Sequence, residues 1–280
     1  MSSTYSPAVE IARSYYNSDD ADNFYFHVWG GEDIHIGLYE RPDDSIAAAS
    51  RRTVERMASR IQGLGAETRV LDMGAGYGGA ARVLAGTFGC HVTALNLSEK
   101  ENARHREMNR AQGLADRIDV VDGSFESVPA ADAAFDLVWS QDAILHSGER
   151  DRVIGEIARV LRPGGDLVFT DPMQADDCPA DVLRPVLARI HLDSLGSIDF
   201  YRESAARHGL REVEVIELTE NLVTHYGRVS DELRRRAPSL AGQVSEEYVQ
   251  RMLAGLGHWI DAGRKGYLRW GILRFRKPAT

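Results

Sequence analysis

The chain has 280 residues, 43% hydrophobic and 27% charged, enough to bury a full core and too apolar for a disordered segment. Acidic residues outnumber basic ones, 42 to 33, for a formal net charge of -9, so nucleic acid is not an expected partner. No apolar run is long enough to cross a bilayer, and no basic-then-apolar leader is evident. Cys90 and Cys178 show neither metal-ligand spacing nor a disulfide framework. The expectation is a cytoplasmic protein with no membrane partner.

In chain order, residues 7–16 read as a helix, and an aromatic segment follows over 24–39. Residues 46–62 carry a helical pattern that stops near Gly63 and Gly65. Strands and helices then alternate. The first strand is expected at 69–73, short and apolar, with a helix behind it at 79–87. A second strand over 91–97 leads into a helix over 98–112, where Ser98 and Glu101 have the spacing of a capping box. Further strands are expected at 118–122 and 135–140, the latter introduced by a polar turn around Asp132. A helix over 149–161 is stopped by Pro163-Gly164-Gly165, and a fifth strand follows at 166–170.

Beyond that point the rhythm loosens. An inserted helical segment is expected over 176–196, a core helix over 200–208 and a sixth strand over 212–218. A long, partly helical insertion over 219–266 precedes an alternating final strand over 267–275. This order predicts an α/β fold with a mostly parallel sheet and helices on both faces. One domain is expected. Residues 1–45 would form an arm or lid, 46–175 a cofactor-binding core, and 176–280 the rest of the core with a substrate cap inserted at about 176–196 and 219–266.

The strongest local signal is Asp72-Met73-Gly74-Ala75-Gly76-Tyr77-Gly78, set between a strand and a helix. Glycines let the backbone turn sharply beside a ligand, and a helix N-terminus offers unpaired amides to an anion. Dinucleotide sites use G-x-G-x-x-G. Here the spacing is G-x-G-x-G behind an acid, which resembles the first motif of class I S-adenosylmethionine-dependent methyltransferases. The resemblance implies that Asp72, Gly74, Gly76 and Gly78 hold a ligand whose carboxylate and amino group replace the pyrophosphate.

A ribose-binding group is expected about 20 residues further on, at the end of the second strand. Such methyltransferases usually have Asp or Glu there; this chain has Asn96, followed by Leu97. An amide still bonds a hydroxyl, without charge assistance. Nothing supplies the arginine that a 2′-phosphate would need. After the third strand, Ser124 stands where related enzymes often carry an Asp beside the adenine amino group, and Phe125 either packs on the adenine or joins the core. The fourth strand ends in Trp139-Ser140-Gln141-Asp142, with His146 four residues beyond. Methyl group and acceptor should meet at this edge. Gln141 is read as a contact to the cofactor or the reacting amine, and His146 as catalytic or as a helix cap.

Further stretches narrow the resemblance. Trp29-Gly30-Gly31-Glu32-Asp33-Ile34-His35-Ile36-Gly37-Leu38-Tyr39 resembles the N-terminal signature of bacterial sarcosine/dimethylglycine N-methyltransferases. So do 71–79, 139–146, Asp171-Pro172-Met173-Gln174-Ala175-Asp176-Asp177, His225-Tyr226-Gly227-Arg228 and 266–271, so the likeness spans nearly the whole chain. It implies a Rossmann-like sheet of seven strands, the last antiparallel, under a helical cap. It also implies S-adenosyl-L-methionine as methyl donor, S-adenosyl-L-homocysteine as product, and no metal. The implied reaction methylates sarcosine to N,N-dimethylglycine and then to glycine betaine, an osmolyte, in a monomer or homodimer.

That chemistry selects further candidates. A zwitterionic acceptor brings a carboxylate, for which Arg228 is the candidate clamp. Its amine attacks only when deprotonated, so a proton acceptor is sought among His35, His146 and His225. Tyr25, Trp29, Tyr39, Tyr201 and Tyr226 offer aromatic faces to a methylammonium, or simply pack; Trp29 is also expected near the cofactor. Two readings stay open beside this one. The first is another small-molecule methyltransferase, acting on glycine, phosphoethanolamine or a natural product. The second is a non-catalytic S-adenosylmethionine-binding protein.

Overall fold

The computed structural model describes residues 7–190 and 192–279. Helices α1 (Pro7–Tyr16) and α2 (Asp19–Phe24), a π-helical turn (Tyr25–Trp29) and α3 (Ile46–Ala58) precede the sheet. The alternating core follows: β1 (Arg69–Met73), α4 (Gly79–Phe88), β2 (His91–Asn96), α5 (Glu99–Ala111), β3 (Ile118–Asp122), β4 (Phe135–Gln141), α6 (Arg150–Val160) and β5 (Leu161–Thr170). Then come β6 (Met173–Gln174), α7 (Arg184–Ile190), α8 (Ile198–Arg207), β7 (Arg211–Glu217), α9 (Thr219–Arg236), α10 (Glu246–Arg264), β8 (Leu268–Arg269) and β9 (Gly271–Arg276).

The seven-stranded sheet has the order β3-β2-β1-β4-β5-β9-β7, with β9 antiparallel to both of its neighbours. The other pairings among β1 to β5 are parallel. Parallel neighbours need crossovers, which α4, α5 and α6 supply, and burial on both faces explains the consecutive apolar residues Val70-Leu71 in β1 and Leu137-Val138-Trp139 in β4. One core cluster packs α3 and α4 on the sheet through Val54, Leu84 and Trp139; the other packs α6 and α8 through Ile157, Phe169 and Tyr201. Strand order reverses between β1 and β4, which opens a crevice at their carboxyl ends. A third cluster lies beyond that edge, where Phe24 and Trp29 meet Tyr226, Trp259 and Trp270.

Several sequence expectations change. Among the described residues of 176–196, only α7 is α-helical, whereas 219–266 is mostly helical as α9 and α10. Helix α9 buries Leu222, His225, Tyr226, Val229 and Leu233, the stripe of an amphipathic helix facing inward. Helix α6 ends at Val160, and Pro163-Gly164-Gly165 lies within β5, which begins at Leu161 paired with Phe135. The final alternating run is interrupted at Trp270, so its first part pairs with β6 and its second joins the main sheet. Ser98 caps α5 by accepting from Glu101 N–H at 3.2 Å, yet the Glu101 carboxylate turns to Asn96 instead of closing the box.

Candidate active site

Strand β1 delivers Asp72 and the glycine turn to the crevice. Gly74 has φ +75°, and a Cβ there would sit 2.3 Å from that of Ala143, so the turn packs tightly on the loop after β4. Gly76 faces the cleft against Ile34. Gly78 behaves otherwise: a Cβ would lie 1.9 Å from His105 Nε2, so this glycine seats the His105 ring of α5. The free amides expected at the start of α4 are also covered by the chain itself. Glu32 O accepts from Gly79 N–H at 3.2 Å, and a Cβ on Gly79 would meet Asp33 Oδ1 at 1.9 Å. Arg51 pairs with that Asp33 carboxylate at 2.8 Å. With a carboxylate already at the helix start, a pyrophosphate would meet like charge there, which separates this turn from a dinucleotide site.

The cleft beside this turn encloses about 90 Å³ and opens to solvent. Asn96, Leu97, Ser124 and Phe125 form one wall; Val9, Ala12 and Tyr16 of α1 form another. Asn96 Nδ2 donates to Glu101 Oε2 at 2.9 Å, and both residues line the cleft. Burial pushes the Glu101 carboxyl up to about 7. The chain therefore places a carboxylate directly behind the amide at the end of β2, five residues later than expected. Ser124 Oγ accepts from Glu126 N–H at 3.1 Å, which fixes the turn after β3.

A smaller chamber shares Ile34, Gly74 and Gln141 with the cleft and adds Asp33, His35 and Asp72. Gln141 Oε1 accepts from Trp139 Nε1 at 2.9 Å, so its NH2 group points elsewhere, buried and without a partner among the described residues. Asp72 Oδ2 is likewise buried and unpartnered among them, and burial pushes this carboxyl up to about 7. Asp142 (φ +50°) accepts from Ile36 N–H at 2.7 Å and from Trp270 Nε1 at 2.8 Å, tying the aromatic segment to the sheet edge.

Hydrogen bonds assign the tautomers of two histidines. His35 Nδ1 faces Ile36 O, an acceptor only, at 3.2 Å, so the proton is on Nδ1. Its Nε2 lies 3.8 Å from Asp33. Burial depresses His35, but Asp33 and then Asp142 outweigh it and raise its pKa overall. His225 Nδ1 receives Gly37 N–H at 3.1 Å and Tyr39 OH at 3.0 Å, so its proton sits on Nε2. Burial, then His35, holds His225 down to about 3. His225 is neutral with its acceptor nitrogen occupied, which removes it as a proton acceptor. His146 Nε2 lies 2.8 Å from Tyr16 OH, across the mouth of the cleft.

The aromatic candidates separate. Trp29 is nearly enclosed, with ring centroids 5.3 Å from Tyr25, 5.7 Å from Tyr226 and 5.2 Å from His225. Among the substrate candidates, His35 lines the chamber, whereas Tyr25, Tyr39, Tyr201, Tyr226 and Arg228 line neither it nor the cleft. Tyr201 is fully buried beneath the site and donates to Asp171 Oδ2 at 2.6 Å, whose other oxygen accepts from Leu145 N–H. Arg228 donates to Pro42 O and lines a separate surface groove beside Asp44 and Asp231, because it flanks rather than joins the inward stripe of α9. Sequence reasoning missed Glu101, Asp33 and Tyr16; the acid three residues after the Ser98 cap was the one local signal for any of them.

Comparisons with known proteins agree with this architecture. A methyltransferase-domain profile matches residues 71–169. The chain is 58% identical to a sarcosine/dimethylglycine N-methyltransferase of Halorhodospira halochloris, over 96% of this chain and 97% of that one. It is 55% identical to another from Aphanothece halophytica, over 95% and 96% of the two chains. A solved structure from Galdieria sulphuraria, assigned as a sarcosine dimethylglycine methyltransferase, superposes with a TM-score of 0.90 at 45% identity, covering 95% of this chain and 100% of that one. With near-complete coverage at this identity, the chain belongs to the sarcosine/dimethylglycine N-methyltransferase family, on the class I methyltransferase fold.

Proposed function

We propose that this protein methylates sarcosine to N,N-dimethylglycine and dimethylglycine to glycine betaine, using S-adenosyl-L-methionine. The observation that carries the reading is the shared wall of Ile34, Gly74 and Gln141 between a cleft lined by Asn96, Ser124 and Phe125 and a small polar chamber. In the cleft, Asn96 backed by Glu101 would receive the ribose hydroxyls, and Leu97, Ser124 and Phe125 would adjoin the base. Asp72, with its free buried oxygen, would receive the cationic amino group, and Gly74 and Gly76 would let the backbone approach. When bound, the cofactor supplies a methyl group on a sulfonium, an electrophile.

The remaining work falls to the chain. Asp33 and Asp142 draw the ammonium form of the acceptor toward the chamber. His35 Nε2 is the proton acceptor: its other nitrogen is committed to Ile36 O, and Asp33 raises its basicity and balances the imidazolium. Gln141, whose unpaired NH2 group is a donor, would orient an oxygen of a bound ligand, and residues 7–45 together with α9 and α10 would cover the chamber against water. His146 holds the mouth through Tyr16. The protein acts in the cytoplasm on small solutes, without a metal, as a monomer or homodimer.

A methyl-transfer assay on purified protein with glycine, sarcosine, dimethylglycine and phosphoethanolamine tests the reading. Transfer to sarcosine and dimethylglycine is expected. Cofactor binding with transfer to none of the four would overturn it in favour of a binding protein, and transfer to phosphoethanolamine alone in favour of a different acceptor.

A further inference from the structure

An amino-acid acceptor needs a partner for its carboxylate, and the site lacks the usual one. Among the described residues, neither the cleft nor the chamber is lined by an arginine or lysine. Buried arginines nearby are engaged elsewhere: Arg82 with Glu32 and Tyr77 O, and Arg150 with Leu145 O and Ser147 O. Arg51 is paired with Asp33. We infer that the acceptor's carboxylate is held by ring N–H donors, Nε2–H of His225 and Nε1–H of Trp29. This assignment rests on the amino-acid acceptor proposed above.

Three observations support it. Trp29 is 4% exposed and His225 0%, yet neither Trp29 Nε1 nor His225 Nε2 has an acceptor among the described residues. A buried N–H left unpaired costs about 1–3 kcal/mol, so packing alone gives no reason for an indole rather than a plain apolar ring at position 29. The two ring centroids lie 5.2 Å apart, so the rings are direct neighbours. The His225 proton is fixed on Nε2 by the two donors at Nδ1, so this atom presents a donor with no change of tautomer.

The charges around the site give the acceptor one orientation. Asp33 and Asp142 act on His35, while the charged neighbour acting on His225 is His35 itself and not a carboxylate. An anion beside His225 is thus not repelled, whereas one beside Asp142 would be. The ammonium end lies toward Asp142 and His35, and the carboxylate end toward His225 and Trp29. Uncharged donors also suit a betaine product, which must leave: a bidentate arginine pair would hold the product's carboxylate as strongly as the substrate's.

Trp29→Phe and His225→Asn test this; the first keeps the ring, and the second keeps an acceptor for Gly37 and Tyr39. Each should raise the KM for dimethylglycine about tenfold or more, as loss of a hydrogen bond to a charged group does. Acetate inhibition should weaken in parallel, while the KM for the cofactor stays within about twofold, confirming the fold. Activity on N,N-dimethylethanolamine, which lacks the carboxylate, should not respond to either substitution. In the unmodified protein, acetate should move the Trp29 indole N–H resonance downfield, a measurement independent of either variant. An unchanged KM for dimethylglycine in both variants would overturn the assignment, as would equal losses for dimethylglycine and dimethylethanolamine. A wild-type enzyme that methylates neither sarcosine nor dimethylglycine would instead overturn the proposed function, and this assignment with it.

Discussion

Asp72 is a carboxyl group in surroundings that disfavour its charge: burial pushes it up to about 7, Asp33 adds repulsion, and His35 only partly compensates. A cationic amino group bound there favours the carboxylate, so binding should release protons and affinity should fall as pH drops below about 7. Calorimetric titration with S-adenosylhomocysteine at pH 6.5, in buffers of different ionisation enthalpy, checks this. Release should shrink in Asp72→Asn, whose affinity should fall by about 10–100-fold. Proton uptake on binding would sink the idea. Two glycines offer a second contrast. Gly113 has φ +69° with nothing near its Cβ position, so Gly113→Ala should cost only about 1 kcal/mol of left-handed strain. Gly78→Ala adds a collision with His105 and should cost clearly more, ~3 kcal/mol or above, in chemical denaturation. Asp72 and Gly74 were legible in the sequence because a turn is local. Arg228 misled because its neighbours His225 and Tyr226 do face inward, and one helical position separates the buried stripe from its rim.

At the scale of elements, α1 owes its place to side-chain ties more than to a deep apolar face. Tyr16 OH meets His146 Nε2, and Asn17 Oδ1 accepts from Ser98 Oγ at 2.8 Å. Asp22 of α2 is the buried anchor, accepting from Tyr77 OH at 2.8 Å and from Arg104 at 2.7 Å. Because Tyr16, Val9 and Ala12 line the cleft, loosening α1 should free the cofactor. Tyr16→Phe keeps the ring and removes the hydroxyl. Proteolysis within residues 7–24 should accelerate about fivefold, the equivalent of one hydrogen bond, and cofactor dissociation should accelerate with it. Unchanged rates of both would show that the hydroxyl does not hold the arm. The alternating core was readable element by element, since strand and helix periods differ and glycines punctuate them. The arm's docking was not, because it depends on pairs such as Tyr16 with His146, which are 130 residues apart. The 219–266 insertion read as only partly helical because its second helix, α10, packs on α9 and α7 and, through Tyr248, on Tyr15 and Phe24, partners far away in sequence.

At the scale of the whole molecule, the site leaves a signature in how stability depends on pH. Burial raises Asp72 and Glu101 to about 7 and Asp171 to about 8, and His35 is raised by its acidic neighbours. For a group raised on folding, the native state binds more protons than the unfolded state between the two pKa values, so stability falls as pH rises across that window. For these carboxyls the window runs from about 4 up to 7 or 8, and for His35 it begins near 6.5. His105 and His225 act oppositely: burial holds both near 3, so each must take up a proton on unfolding below about 6.5, and stability falls with acid there. Asp22, lowered despite its burial by Arg104 and Tyr77, also loses its contribution as the pH falls through its folded pKa. The cofactor-free protein should therefore lose thermal stability gently from about pH 5 to 6.5, where the two histidines offset two of the three carboxyls, and more steeply from there toward pH 8. The bound amino group and ribose hydroxyls would stabilise the Asp72 and Glu101 carboxylates, so saturating S-adenosylhomocysteine should flatten the alkaline limb beyond the uniform rise any ligand gives. Asp72→Asn removes one of the charges and should flatten the same limb without ligand, raising the melting temperature at pH 8.5 while weakening cofactor binding. Melting curves of free and bound protein from pH 5.5 to 8.5 decide it. A free protein whose melting temperature climbs steadily to pH 8.5 would mean that Asp72 and Glu101 are already compensated, and that neither is held in reserve for a ligand.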